Sequence, residues 1–197
     1  MLNLLGNKVH ECKRFTMRYL KLSVVLFASC FLTGCFEIQG VHVLHYYGES
    51  DTGSYRITMN SLTYATLESN NQYSKMLKDL RTWSRPTTRR EEDSVHLEDN
   101  SGTASMERFY DSFTCKEAPV FGFVDCRFSF NVPKDFGAMP NWSIDWEVVL
   151  QPDMKVVSSN HQRTRRANGL DRLIWYFDGN RVSEASVDFT IRTPRAR

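Results

Sequence analysis

The chain has 197 residues, 41% of them hydrophobic and 24% charged. That is the length of one domain, two at most, with ordinary globular usage, so collagen-like, disordered and multi-span membrane classes are excluded. The formal charge is +2, but residues 1–34 hold five Lys and Arg against one acidic residue, which leaves 20 basic and 22 acidic residues in 35–197; composition therefore offers no case for a nucleic-acid partner.

Met17-Arg18-Tyr19-Leu20-Lys21 is a short positive segment, and residues 22–32 form an uncharged, mostly apolar run. The run is too short for a spanning helix, which needs about 20 residues, and fits the 7–15 of a signal-peptide core. It ends in Leu32-Thr33-Gly34-Cys35, which resembles the bacterial lipobox. The resemblance implies cleavage before Cys35 and diacylation of its sulfur. One buried chain holds marginally and two or three hold firmly, so such a protein is anchored to a membrane rather than threaded through it. The alternative is an ordinary secretory signal followed by a structural cysteine. Residues 1–34 are thus read as a signal peptide, with Met17 as an alternative start. Residues 35–197 are read as a single soluble α+β domain outside the cytoplasm. Phe36 follows the cysteine. By resemblance to Gram-negative lipoproteins an Asp there favours the inner membrane, so its absence leans towards the outer membrane, while the cell membrane stays open.

Of five cysteines, Cys12 and Cys30 precede the cleavage point and Cys35 is taken by lipid. Cys115 and Cys126 remain, in an exported chain where disulfides persist. A redox-active pair is the alternative. Catalytic pairs usually sit two residues apart at a helix start, whereas the segment between these contains Pro119 and Gly122 for a turn. A structural bridge is the favoured reading.

Residues 38–47 are strand-like, 48–53 form a turn cluster, and Tyr55, Ile57 and Met59 alternate with polar residues, so a hairpin is expected. Tyr73, Met76, Leu77 and Leu80 fall on one helical face, which predicts an amphipathic helix over 71–83, capped from Ser69, Asn70 or Asn71 and ended by Pro86. Residues 85–93 read as a charged loop. A short strand at 95–97, a turn at 99–102 and a strand over 104–110 follow. Cys126, Phe128, Phe130 and Val132 alternate, as do Trp142, Ile144, Trp146, Val148 and Leu150, with Asp145 and Glu147 on the opposite face. Residues 133–140 read as an irregular loop, 154–157 as a strand and 159–169 as a polar loop. The strand over 173–177, the turn Asp178-Gly179-Asn180 and the alternating residues 185–191 read as a last hairpin. The expected fold is α+β, one mainly antiparallel sheet of about eight or nine strands with one main helix.

The stretch from Trp146 to Asn160, with Gln151-Pro152-Asp153 as its turn and Val156 and Asn160 after it, and the strand Leu173-Ile174-Trp175-Tyr176-Phe177 are similar to the LppM-like domain of bacterial lipoproteins. The order of parts agrees: lipobox, hairpin, helix, Phe-rich strand, then this signature. The sequence departs from that family where Gly pairs usually flank the turn, and it stops at Arg197 without a C-terminal spanning helix. The resemblance implies an α+β lipoprotein domain that contacts lipid or glycolipid, and it implies no enzyme activity.

No nucleophile-elbow, zincin, P-loop or dinucleotide pattern occurs. His42 and His45 point to opposite strand faces and His96 and His161 stand alone, so no metal, cofactor or catalytic residue is expected. Arg163, Arg165 and Arg166 share one polar segment and could hold an anionic head group, because guanidinium forks suit phosphate; solvated loop is the alternative. The reading is a membrane-anchored bacterial envelope lipoprotein whose domain binds or contacts an envelope component such as lipid or glycolipid. The alternative is a structural or assembly lipoprotein docking onto another envelope protein. Cys35→Ser is expected to abolish processing and to release the domain from membranes or leave the signal uncleaved. Intact-mass measurement of the native mature protein checks this, and an unmodified Cys35 there contradicts the anchor.

Overall fold

The computed structural model describes residues 35–47, 50–69, 78, 81, 84–131, 141–179 and 185–195. The signal segment, the loop at 132–140 and nearly all of the helix expected at 71–83 lie outside these. Lys78 and Arg81, described within that helix, are helical.

Among the described residues eleven strands form two sheets, not one. They are β1 (Cys35–Val43), β2 (Thr52–Asn60), β3 (Thr87–Arg90), β4 (Ser94–Ser105), β5 (Ser112–Glu117), β6 (Phe123–Asn131), β7 (Asn141–Val149), β8 (Lys155–Ser159), β9 (Arg163–Ala167), β10 (Leu170–Asp178) and β11 (Ser186–Pro194). The seven-stranded sheet has the order β3-β4-β2-β1-β7-β10-β9 and the four-stranded sheet β5-β6-β11-β8. The expected β1–β2 hairpin is present. The centre of the large sheet is the pair β1–β7, which is parallel.

Several expectations need correction. The hairpin expected around 178–180 is not formed, because β10 pairs with β7 and β9 while β11 pairs with β6 and β8 in the other sheet. The turn at 99–102 exists, with Asp99 Oδ1 accepting from the Ser101 N–H at 2.9 Å. Its two arms continue one strand, since Tyr55 pairs with Asp99 and Gly53 with Ala104, so the turn is a bulge in β4. Only Ala104 and Ser105 of the strand expected at 104–110 belong to a strand; Met106–Phe109 is a short 3-10 turn. The charged loop at 85–93 contains edge strand β3, and the polar segment 159–169 contains edge strand β9. A helix absent from the sequence reading, α1 (Ser61–Ser69), follows β2 directly. Asn60 caps it, its Oδ1 accepting from the Thr63 N–H at 2.6 Å.

The alternation along β7 sets the core. Trp142, Ile144, Trp146 and Val148 are buried and Asp145 is exposed, the register expected from the sequence. Trp146 sits opposite Trp175 of β10 and Gly40 of β1. A Cβ on Gly40 would lie 2.2 Å from Trp146 Cζ3, so only glycine lets the indole lie flat across the strand. The small sheet covers this face through Phe128, Phe130 and Phe189. Phe130 meets Trp146 at 5.3 Å between ring centres, and Phe189 meets Trp175 at 5.5 Å.

Asn160 clasps the two sheets. Its Oδ1 accepts from Trp175 Nε1 at 2.7 Å and from the Asp188 N–H at 3.0 Å, and its Nδ2 donates to the Ser186 carbonyl at 2.8 Å. The Asn and Trp of the sequence signature are thus partners in one structural joint.

Gly40→Ala is expected to destabilise by about 1–3 kcal/mol through overpacking. Trp146→Ala is expected to cost about 3–5 kcal/mol at a site that is 1% exposed. Urea midpoints check both, and an unchanged midpoint for either contradicts the packing described.

Candidate functional site

β1 runs nine residues from Cys35, about 30 Å at ~3.3 Å per residue. Past its far end, at the seam of the two sheets, is a pocket of about 290 Å³. Leu44, Phe113, Phe128, Met154 and Ile191 give it apolar walls, Cys126 contributes the disulfide side, and Tyr46 and Tyr47 border it. The volume is near the lower bound of the ~300–1,000 Å³ typical of ligand pockets, and the pattern of apolar walls with few polar groups is theirs. Phe113 of β5 forms part of its wall. Phe113 packs on Phe128 at 4.7 Å between ring centres yet stays half exposed.

The Cys115–Cys126 disulfide joins directly paired residues of β5 and β6, with Cα atoms 4.0 Å apart. It ties the edge strand that forms this wall. Cys35 opens β1.

The polar wall is Asp51, which is 7% exposed, with Glu107 beside it. Asp51 Oδ1 accepts from the His45 N–H at 2.8 Å, and the Asp51 N–H donates to Glu107 Oε2 at 3.0 Å. Behind them lies a fully buried polar chain. Trp146 Nε1 donates to the Tyr110 hydroxyl at 2.9 Å, and that hydroxyl is 2.8 Å from His42 Nδ1. With the hydroxyl proton given to Nδ1, the ring proton sits on Nε2. His42 Nε2 faces Asp51 Oδ2 at 3.2 Å, outside hydrogen-bond alignment. Burial pushes the Tyr110 phenol well above its ordinary value, the Asp51 charge adds to this, and the bond from Trp146 opposes it. The phenol therefore stays a donor.

This arrangement resembles an acid–base relay but has no reactive end. Tyr110 occupies one ring nitrogen of His42, Asp51 stands at the other, and the imidazole is wholly buried. His42 and His45 do not meet at one ligand point, and no group of three metal-ligating side chains occurs among the described residues. Sequence reasoning separated the two histidines but missed Asp51, hidden in a turn cluster, and missed the pocket, which five distant chain segments build together.

The three arginines that could hold a head group are divided between the two faces of β9. β9 is a strand, so Arg163 and Arg165 lie on one face and Arg166 on the other. Arg165 reaches Glu147 at 3.2 Å and Arg166 reaches Asp171 at 3.9 Å. Glu147 is also held by Arg172. On this outer face burial raises the Asp145 carboxyl above the usual carboxylate range, with the charges of Glu147 and Glu37 adding to it.

Tyr110→Phe leaves the Trp146 indole N–H and His42 Nδ1 without their partner. It is expected to destabilise by about 1–3 kcal/mol for each orphaned group, measured by urea unfolding. A loss below about 0.5 kcal/mol, that of an ordinary surface change, contradicts the chain as described.

No family model matches the chain, and no curated protein matches it. Its structure is similar to the folded domain of the LppM protein of Mycobacterium tuberculosis, with a TM-score of 0.44 and 9% sequence identity over 82% of this chain and 91% of that one.

Proposed function

We propose that the chain is a bacterial envelope lipoprotein, held through Cys35 on the cell membrane or outer membrane, whose domain binds the apolar part of an envelope lipid or glycolipid in the seam pocket. The Leu32-Thr33-Gly34-Cys35 segment supports the anchor. The observation that carries the binding reading is the pocket itself, whose apolar walls stand beside the polar side chains of His45, Ser50, Asp51, Glu107 and Thr193. The closed His42 chain supports binding without catalysis, because its hydrogen-bonding groups face one another rather than the pocket.

A second reading, docking onto another envelope protein, is favoured by the β5–β6 turn. Phe121 is fully exposed there and Val120 is 46% exposed. The turn is held by Ala118 N–H to Phe123 carbonyl and Arg195 N–H to Gly122 carbonyl bonds.

The test uses the full-length processed protein in phosphatidylcholine nanodiscs with a diazirine-bearing dodecanol. Ser50 is exposed at the pocket, so Ser50→Trp obstructs the mouth without touching the core. Irradiation is expected to label the segments carrying Leu44, Phe113 or Met154, and Ser50→Trp is expected to cut that labelling about tenfold, near 1.4 kcal/mol of binding. Labelling elsewhere, or labelling indifferent to Ser50→Trp, contradicts the pocket reading. Cross-links from position 121 to one abundant protein would favour docking.

A further inference from the structure

Resting on that pocket reading, we infer that the site sorts amphiphiles by head charge and takes those whose head carries a protonated amine, rejecting carboxylate- and phosphate-only heads. The described residues lining the pocket include two carboxylates, Asp51 and Glu107, and no Lys or Arg. Both carboxylates are fixed before any ligand arrives. Asp51 is held by the His45 N–H, and Glu107 Oε2 by the Asp51 N–H. Glu107 Oε1 has no hydrogen-bond partner among the described residues and is the acceptor left for an incoming donor. At the border, the Tyr46 hydroxyl donates to Asp153 Oδ2 at 3.4 Å, which adds a third acidic group.

Arg192 and Arg195, close to Thr193 in the chain, are already engaged. Arg192 holds Asp125 through two bonds, at 2.7 and 2.9 Å, across the β6–β11 pair. Arg195 is bound to Glu117. Arg108 and Lys155 are exposed and are not part of the lining. An anionic head placed here meets fixed like charges with no Lys or Arg among the described lining residues to answer them, whereas an ammonium head meets preformed acceptors. Like-charge juxtaposition is a device for rejecting wrong partners rather than for raising affinity. The apolar walls supply affinity to either kind of molecule, so head charge decides between molecules with the same tail.

The experiment compares three probes of equal chain length with the diazirine at the same carbon: dodecylamine, dodecanoic acid and dodecanol. Each is irradiated with the full-length processed protein in phosphatidylcholine nanodiscs at neutral pH. The amine is expected to label the pocket segments about tenfold more efficiently than the acid, with the alcohol between them. Glu107→Gln keeps an acceptor for the Asp51 N–H and removes one charge. It is expected to shrink the amine-to-acid ratio severalfold. Equal or better labelling by the acid, or a ratio unmoved by Glu107→Gln, overturns the charge rule while the pocket reading stands. Failure of all three probes to label the pocket overturns both.

Discussion

The Tyr110 hydroxyl joins a ring from β7 to a ring from β1, accepting from Trp146 at 2.9 Å and lying 2.8 Å from His42 Nδ1. Because β1 and β7 are the parallel pair at the centre of the large sheet, this hydroxyl sits where the small sheet closes over it. Phe128 and Phe189 meet the Tyr110 ring at 5.2 and 5.7 Å. A buried polar chain costs free energy unless every member finds a partner, and once satisfied it favours one arrangement of the layers over others. Gly40 belongs to the same constraint, because a Cβ there would clash with the Trp146 ring, 2.2 Å from Cζ3. The Asn160 clasp does for Trp175 what Tyr110 does for Trp146. The Trp175 indole nitrogen is tied to the small sheet through Asn160, and the Trp146 indole nitrogen to Tyr110, between the 3-10 turn and β5.

Trp146 and Trp175 are buried where the sheets meet. The pocket is apolar on the small-sheet side, at Phe113, Phe128 and Ile191, and acidic at Asp51, in the turn from β1 into β2, and at Glu107, in the 3-10 turn before β5. The same carboxylate that faces His42 inward borders the pocket outward, so the polar chain that orders the core also fixes the charge of the mouth.

Much of the core was legible in the sequence, since alternation is a local property. Trp142, Ile144, Trp146 and Val148 are buried as their period of two requires, and Cys115 and Cys126 remain after the other cysteines are assigned. The division into two sheets was not legible. The β1–β7 pairing links residues about a hundred positions apart, and Asp178-Gly179 reads as a hairpin turn although the next strand joins the other sheet. β9 was missed for a different reason. Four exposed residues of its five and its three arginines mark a solvent-facing edge protected by charge, which in sequence looks like loop. The signal that could have found it is Asn168-Gly169, both at positive φ (54° and 79°), the turn chemistry that closes a two-residue hairpin. The site was the least legible part: Asp51, Glu107, Phe113, Met154 and Ile191 carry no shared motif, and only the packing of two sheets brings them to one cavity.

The central claim, that the seam pocket holds an amphiphile of the envelope, is tested most directly on protein purified from its own membrane. Organic extraction and mass spectrometry of that preparation should recover an acyl-bearing amphiphile in stoichiometric amount from the native chain and far less from Ser50→Trp purified in parallel. Recovery of no such molecule, or of equal amounts from both proteins, would contradict the account.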